Sequence, residues 1–232
     1  MKKFNSKVNI ICLHGALATE RQFDSLFLEG SSSFNLSRFT FHGHGGSHEA
    51  FTLESLSNQL KEFIASTFKK KEYFILGYSM GGYVAMHALI QNVIDPKGII
   101  LVNTKLDWNP VVLQNELHKL NYDKMCEKIP GFIKSLDSLH APISAIDLLD
   151  STKQFLASLV ENRNAFNEGL RNINRPILLS RSELDTFVSA EEYQSLCRIS
   201  SQFSYCSYMQ AKHSFESISI QDLISNISNF IS

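Results

Sequence analysis

A Gly-x-Ser-x-Gly motif constrains the fold more than any other part of this sequence. Residues 77–81 read Gly-Tyr-Ser-Met-Gly, with Ser79 at the centre. The apolar run at 73–76 is typical of a buried strand, and residues 82–90 favour a helix. A serine at a tight turn between a strand and a helix projects its hydroxyl beyond the sheet, next to unpaired helix N–H groups. This pattern predicts an α/β sheet with Ser79 at its carboxyl edge.

A glycine-rich phosphate loop is the main structural alternative for this stretch. Such a loop needs Lys and then Ser or Thr directly after its last glycine, whereas Gly82, Tyr83 and Val84 follow here. An ordinary strand-to-helix turn is the other alternative. The rest of the chain must therefore supply a base and an acid if Ser79 is to act as a nucleophile.

Apolar runs alternate with helical patterns along the chain, as in a parallel sheet covered by helices. The predicted strands are residues 8–13, 36–41, 73–76, 98–103, 176–180 and 203–209. Leucine and phenylalanine spacing predicts a helix after Thr52, which could cap it together with Ser55, and residues 218–231 form a last amphipathic helix. The fold class expected is α/β, with a mostly parallel sheet of about six strands and helices on both faces.

One long segment, residues 105–175, interrupts this alternation. It contains no convincing strand, and its amphipathic stretches at 111–120, 125–139 and 152–160 are punctuated by prolines. It falls between two predicted strands, on the edge where active sites of parallel sheets lie. We expect residues 1–104 and 176–232 to form the core and residues 105–175 to form a helical lid.

Composition limits the classes of function. The chain has 232 residues, 44% of them hydrophobic, which suits one α/β domain. Its net charge of −1 shows no excess of positive charge of the kind that nucleic-acid-binding proteins carry. Four cysteines without a Cys-x-x-Cys pair argue against zinc and redox motifs. The positive residues 1–7 are like those of a secretory leader, but the apolar run at 8–13 is too short for one. We expect a cytoplasmic protein without a membrane span.

The candidate base is His213, which follows the last predicted strand and so lies at the same sheet edge as the serine. His42, His44 and His48 share a glycine-rich loop, but no carboxylate lies at a spacing suitable for a metal site, so none is expected. His14 precedes a glycine at a strand end, where a structural hydrogen bond is the usual role. His87 is expected in the helix that follows the serine turn, on or near the core. His118 and His140 are expected on the surface of the lid.

The candidate acid lies in the loop after the fifth predicted strand. Glu183 and Asp185 are both suitably placed there. Either residue could instead be a solvated loop charge, and the residues alone leave the choice open.

Five segments together resemble the α/β-hydrolase family. They are the His-Gly pair at 14–15, the His-Gly-His-Gly-Gly-Ser loop at 42–47, the serine turn at 77–81, the segment from Pro176 through Asp185 to Val188, and the Lys-His pair at 212–213. The chain order Ser79, Asp185, His213 matches the family order of nucleophile, acid and base. The chain departs from the family pattern at His42, where proline is usual, and at Ser182, which replaces a glycine.

The resemblance implies a serine hydrolase that acts on a carboxylic ester or thioester without a cofactor. Ser79, Asp185 and His213 would be catalytic, and the amides of Met80 and Ala16 would form the oxyanion hole, with Leu17 as the near alternative to Ala16. The small side chain of Ala16 would leave a roomy acyl pocket. We expect Ala16, Leu17, Phe132 and Leu136 to contact substrate, the last two from the lid.

Size, lid length and the His-Gly loop are similar to those of bacterial carboxylesterases that act on pimeloyl-acyl-carrier-protein methyl ester. A carrier protein would then be a partner, docking on the lid lysines Lys119, Lys124, Lys128 and Lys134. The alternative is a solvated face of mixed charge, because Asp123, Glu127 and Asp137 are interleaved with these lysines. The alternatives are a generic small-ester or thioester hydrolase, a menaquinone-pathway lyase of this fold, and a non-catalytic binding protein. Lyases of that type usually carry Arg where this chain has Tyr83.

Overall fold

A computed structural model describes residues 7–49 and 51–232 of the chain. The N-terminal residues 1–6, which carry most of the positive charge discussed above, lie outside the described part. Within the described part, no helix combines the length and the apolar character that crossing a membrane would require.

Six strands form a single parallel sheet in the order β2-β1-β3-β4-β5-β6, which confirms the predicted fold class. The strands are β1 (Val8–Leu13), β2 (Phe34–Phe39), β3 (Phe74–Tyr78), β4 (Ile99–Val102), β5 (Ile177–Ser182) and β6 (Phe203–Tyr208). The chain places β2 on one side of β1 and β3 to β6 on the other. The carboxyl ends of β1 and β3 therefore flank the point where strand order reverses, and crevices in such sheets open there.

Ten helices surround the sheet in the described part of the chain. They are α1 (Asp24–Gly30), α2 (Leu53–Phe68), α3 (Met80–Ile90), α4 (Pro110–Lys119), α5 (Tyr122–Lys128), α6 (Pro130–His140), α7 (Ala145–Glu161), α8 (Arg163–Arg171), α9 (Ala190–Ile199) and α10 (Ile220–Ile231). The predicted cap of α2 is present: Thr52 Oγ1 accepts from the Ser55 amide at 3.1 Å, and Ser55 Oγ accepts from the Thr52 amide at 3.0 Å.

The two faces of the sheet carry separate hydrophobic cores. Alternate residues of β1 point to opposite faces, so Ile11 and Leu13 belong to one core and Ile10 and Cys12 to the other. The first core includes α2, α3 and α7, while the second includes α10. Almost every residue of α3 is buried, because the sheet covers one side of it while α2 and α8 pack against its other sides.

Several element boundaries differ from the predictions. Strand β2 occupies Phe34–Phe39 rather than 36–41, because it pairs with β1 in a register that places Phe34 beside Val8. Phe39 and Phe41 are both buried, so the apolar pattern alone does not distinguish the two positions. The stretch 125–139 is two helices, with Pro130 as the first residue of the second.

Between β4 and β5 the chain forms the five helices α4 to α8, and we call residues 105–175 the insertion. Helix α8 packs on α3, and α4 packs on α7. Phe155 and Leu156 of α7 join the core above the sheet, whereas α5 and α6 build a smaller core with the start of α7. The insertion is thus anchored to the sheet mainly through α7 and α8.

Candidate active site

Ser79 lies between the last residue of β3 and the first residue of α3. Its backbone has φ 49° and ψ −115°, a strained conformation for a residue with a side chain. The Ser79 amide donates to Val102 O of the neighbouring strand at 2.9 Å, which helps to hold the turn. The two flanking glycines are required sterically: a Cβ at Gly77 would lie 2.5 Å from the Gly82 Cα, and one at Gly81 would lie 2.3 Å from Leu13 O.

His213 and Asp185 form a hydrogen-bonded pair at the same sheet edge. His213 Nδ1 donates to Asp185 Oδ2 at 2.8 Å, and the Asp185 side chain is fully buried. The His213 carbonyl accepts from Tyr78 Oη at 2.8 Å and from Asn103 Nδ2 at 2.9 Å, so two strand ends fix its loop. With Nδ1 engaged by the carboxylate, Nε2 is left as the nitrogen able to take a proton.

The environment keeps the Asp185 carboxylate charged. Burial alone would raise its pKa, but the hydrogen bond and charge of His213 and the amides of Phe187 and Val188 together bring the pKa below its ordinary value. Glu183, the alternative acid, is exposed, and its contact is with Ser207 Oγ at 3.5 Å. The structure therefore brings Asp185 and not Glu183 to His213.

A cleft of about 360 Å³ opens beside Ser79 and His213. Of the other predicted site residues, Ala16, Leu17 and Met80 line it. Its apolar wall comes from the loops after β4 and β5 and from α7, through Trp108, Phe187, Phe155, Leu156 and Leu159. Ser79 and His213 thus share one apolar cleft with the predicted oxyanion-hole residues, whereas the glycine-rich loop at 42–47 does not line it.

The structure does not bring Phe132 and Leu136 to this cleft. Leu136 is buried in the small core of the insertion, and Phe132 is exposed on the surface of α6. The insertion reaches the cleft through α4 and α7 instead. The sequence shows that each of these helices has an apolar face, but not which helix crosses the sheet edge.

The loop after β1, residues 14–18, is held by hydrogen bonds of the His14 and Gln22 side chains. His14 Nδ1 donates to Gly15 O at 2.8 Å, and its Nε2 accepts from the Phe41 amide at 3.0 Å. The Gly15 amide donates to Gln22 Oε1 at 2.9 Å. Leu17 has φ 61°, a left-handed conformation that its surroundings must maintain.

His140 was expected on the surface, and that expectation is wrong, because the residue is fully buried. Its Nδ1 accepts from the Gly45 amide at 3.0 Å, and its Nε2 donates to Leu17 O at 3.3 Å. The end of α6 is thereby joined to both glycine-containing loops. The contacts with Leu17 and Gly45 span 123 and 95 positions of the chain, and no local sequence pattern signals them.

His14, His44 and His140 form a buried row of imidazoles. The ring centroids are 4.9 Å apart for His14 and His44 and 5.6 Å apart for His44 and His140. Burial lowers the pKa of His14 well below its ordinary value, lowers that of His44 to about 4, and lowers that of His140. All three rings are therefore neutral at pH 7. Among residues 7–49 and 51–232, no group of three or more histidine, cysteine or acidic side chains could hold a metal ion.

Comparison with known proteins agrees with the fold. Residues 10–205 match the model of a family described as the alpha/beta hydrolase family. Over 104 residues the chain is 32% identical to a Haemophilus influenzae protein named putative 2-succinyl-6-hydroxy-2,4-cyclohexadiene-1-carboxylate synthase. That match covers 43% of this chain and 42% of the relative, so it spans less than half of either protein.

Solved structures with the same fold include two esterases. A thermophilic esterase from Thermogutta terrifontis superposes with a TM-score of 0.75 at 16% identity, covering 97% of this chain and 90% of that one. An esterase from Exiguobacterium antarcticum superposes with a TM-score of 0.76 at 14% identity, covering 97% of this chain and 92% of that one. MenH from S. aureus superposes with a TM-score of 0.75 at 17% identity, covering 99% of this chain and 95% of that one. At these identities the likeness establishes the fold alone.

Proposed function

The chain belongs to the alpha/beta hydrolase family, and from that premise we propose that it is a serine hydrolase that cleaves carboxylic esters through an acyl-enzyme. The observation that carries the proposal is the His213–Asp185 hydrogen bond of 2.8 Å beside the strained Ser79 turn. A binding protein would have no use for a buried, charged carboxylate that orients a histidine in an apolar cleft. Such an arrangement is what a serine needs to become nucleophilic.

In the proposed mechanism Ser79 Oγ attacks the ester carbonyl while His213 Nε2 takes its proton. Asp185 keeps the imidazole in the required tautomer and stabilises its charged form. The oxyanion of the tetrahedral intermediate would accept hydrogen bonds from the backbone amides of Met80 and Ala16. His213 then protonates the leaving alcohol, and a water molecule repeats the cycle on the acyl-enzyme.

The first experiment is labelling with a fluorophosphonate probe, followed by peptide mass spectrometry. We expect a single adduct on Ser79 and hydrolysis of short p-nitrophenyl esters. Ser79→Ala should lose the adduct and lower kcat by about 10⁴-fold or more. Near-normal turnover by Ser79→Ala, or a wild-type protein that neither labels nor hydrolyses esters, would contradict the proposal, and the second result would favour a binding protein.

A second candidate function is suggested by the Haemophilus relative. Its name describes a synthase rather than an ester hydrolase, and its match covers 104 residues of the chain. Tyr83 counts against this candidate, because it occupies the position after the glycine pair, where an arginine is usual in such enzymes. Tyr83 is buried and stacks on Phe166 with ring centroids 4.2 Å apart. Formation of the relative's named product without turnover of any ester would favour the synthase.

The narrower hypothesis of a carrier-protein methyl ester as substrate rests on size, lid length and the His-Gly loop, and the lysines of the insertion would dock the carrier protein. Lys119 pairs with Glu116 at 2.6 Å and Lys124 contacts His118 at 3.1 Å, so these two are already engaged. A docked carrier protein should make kcat/KM higher for the carrier-linked ester than for the free ester, and sensitive to salt. Equal, salt-independent values for the two substrates would exclude it.

A further inference from the structure

Lys105 occupies a fixed position in the loop after β4. The Thr104 amide donates to Tyr193 Oη at 2.8 Å, and Tyr193 Oη donates to Thr104 O at 2.7 Å. On the other side, Trp108 Nε1 donates to Lys105 O at 3.2 Å. The backbone of Lys105 is therefore held from both directions, and its side chain is presented from a rigid segment.

The Lys105 side chain is only 12% exposed, and Nζ donates to Glu192 Oε2 at 2.5 Å. Glu192 does not depend on this lysine alone, because its other oxygen accepts from the Leu106 and Asp107 amides at 2.7 and 2.9 Å. An ammonium has three donors. Glu192 takes one, and the other two have no partner among the residues that the structure describes. An ammonium with two donors that no protein group takes up can give them to solvent or to an anion bound in the cleft.

The spare donors belong to a residue of the cleft wall. Lys105 lines the cleft together with Trp108, and it also lines a neighbouring pocket together with Glu192, which does not line the cleft. The Trp108 ring contacts Phe187 with centroids 5.7 Å apart, and Phe187 contacts His213 with centroids 5.4 Å apart. Lys105 is thus on the same wall as His213, separated from it by two aromatic rings.

The other charges in the cleft lining do not cancel that of Lys105. Glu116 and Lys119 also line the cleft, but they pair with each other at 2.6 Å. Lys105 is therefore the charged residue of the cleft lining whose counter-ion, Glu192, lies outside the cleft. An anion bound there would be far less screened than one at the protein surface.

From this arrangement we infer that the cleft selects esters that carry a second, ionised carboxylate, and that Lys105 binds that carboxylate. The inference rests on the proposed ester hydrolysis and specifies its substrate class. The apolar side chains between His213 and Lys105 would cover the methylene chain that joins the ester to the carboxylate. The carboxylate could belong to the acyl part or to the alcohol part of the ester, and the experiment separates these two cases.

The kinetic test compares matched esters. One arm uses monomethyl esters of straight-chain dicarboxylic acids against methyl esters of monocarboxylic acids of equal chain length. The other arm uses esters of ω-hydroxy acids against esters of simple alcohols. We expect wild-type kcat/KM to favour the carboxylate ester in one arm by about 10- to 100-fold, the range for a hydrogen bond to a charged group. Lys105→Met should remove that preference.

Lys97→Met is the matched control, because Lys97 also pairs with a glutamate, Glu72 at 2.7 Å, but lies before β4 at the opposite sheet edge. It should leave the preference intact. The readout is a ratio of two substrates on one protein sample, so partial loss of folded protein does not change it. If Lys105→Met does not fold, the double variant Lys105→Met/Glu192→Gln removes both charges and serves the same purpose.

A binding measurement separates this inference from the proposed function. Free glutarate, adipate and suberate should raise the Tm of wild type more than the monocarboxylates of equal length do, and Lys105→Met should lose the difference. Diacid binding without any ester hydrolysis would retain the inference and remove the proposed function. Ester hydrolysis with equal rates in both arms, or a preference unchanged by Lys105→Met, would overturn the inference and leave the function standing.

Discussion

At the scale of single residues, the Asp185–His213 hydrogen bond distinguishes two carboxylates that lie two positions apart. Asp185 is buried against His213, whereas Glu183 is exposed. Asp185→Asn should lower kcat by about 10⁴-fold, because an amide at this position favours the wrong imidazole tautomer. Glu183→Gln is the matched control and should change kcat less than about threefold. The measurement is steady-state hydrolysis of a p-nitrophenyl ester, and reversed effects would identify Glu183 as the acid.

The residue scale also shows where prediction from sequence stops. The positions of Ser79, Asp185 and His213 follow from strand ends and family spacing, which are local features of the chain. The burial of His140 and the position of Lys105 in the cleft lining depend on how the insertion and α9 pack on the sheet. Contacts between such distant segments have no local signature, so they could not be predicted.

At the scale of elements, the close crossing of β1 and α3 requires a glycine at position 81. A Cβ there would lie 2.3 Å from Leu13 O, a backbone atom that cannot move alone. Gly81→Ala should therefore lower the free energy of unfolding by about 1–3 kcal/mol or more. Gly131→Ala, at the start of α6, has open space around it and should be neutral or slightly stabilising. Urea unfolding of the two variants gives the comparison, and equal stabilities would contradict the steric argument.

The two faces of the insertion give a second prediction at this scale. Leu156 of α7 lines the cleft, whereas Phe132 of α6 is exposed away from it. Because each buried methylene contributes about 0.8 kcal/mol, kcat/KM should rise several-fold from acetyl to hexanoyl esters. Leu156→Ala should change this chain-length profile.

Phe132→Ala is the control for that experiment and should leave the profile as in wild type. The profile is measured with p-nitrophenyl esters of graded acyl length. An altered profile in Phe132→Ala with an unaltered one in Leu156→Ala would mean that α6 rather than α7 covers the bound acyl chain in solution.

The existence of each strand was predictable, but some boundaries were not. Strand β2 was predicted two residues too far along the chain. The phenylalanines at 34, 39 and 41 are all buried, so the apolar pattern does not decide whether the strand ends at 39 or at 41. Its register is set by pairing with β1, which is a tertiary contact. Helices α5 and α6 were merged because both are amphipathic, although Pro130 marks the start of the second.

At the scale of the whole molecule, the fold class was predictable because six apolar runs and the turns that follow them are all visible in the sequence. The position of the insertion relative to the cleft was not, since it depends on which apolar helix faces cover the sheet. The structure uses the faces of α7 and α8 for that purpose. The row of His14, His44 and His140 then joins β1, the glycine-rich loop and the insertion at one place.

That row makes the stability of the whole molecule depend on pH. Burial holds these imidazoles neutral in the folded protein and lowers the pKa of His44 to about 4, whereas in the unfolded chain they titrate near ~6.5. Between these values the unfolded state binds more protons, so the free energy of unfolding falls as pH decreases from about 6.5 towards about 4. The lowered pKa of Asp185 acts in the same direction, but only below its ordinary value of 3.8.

From pH 7 to pH 5, His44 alone should reduce the free energy of unfolding by about 2 kcal/mol, at 1.36 kcal/mol per pH unit. His44→Phe keeps an aromatic ring in the row but cannot bind a proton, so its loss over the same interval should be smaller by about that amount. His118→Phe, at an exposed position of α4, should lose as much as wild type. Urea unfolding of the three proteins at both pH values provides the measurement. Equal losses in wild type and His44→Phe would show that the buried row does not set the acid sensitivity of the fold.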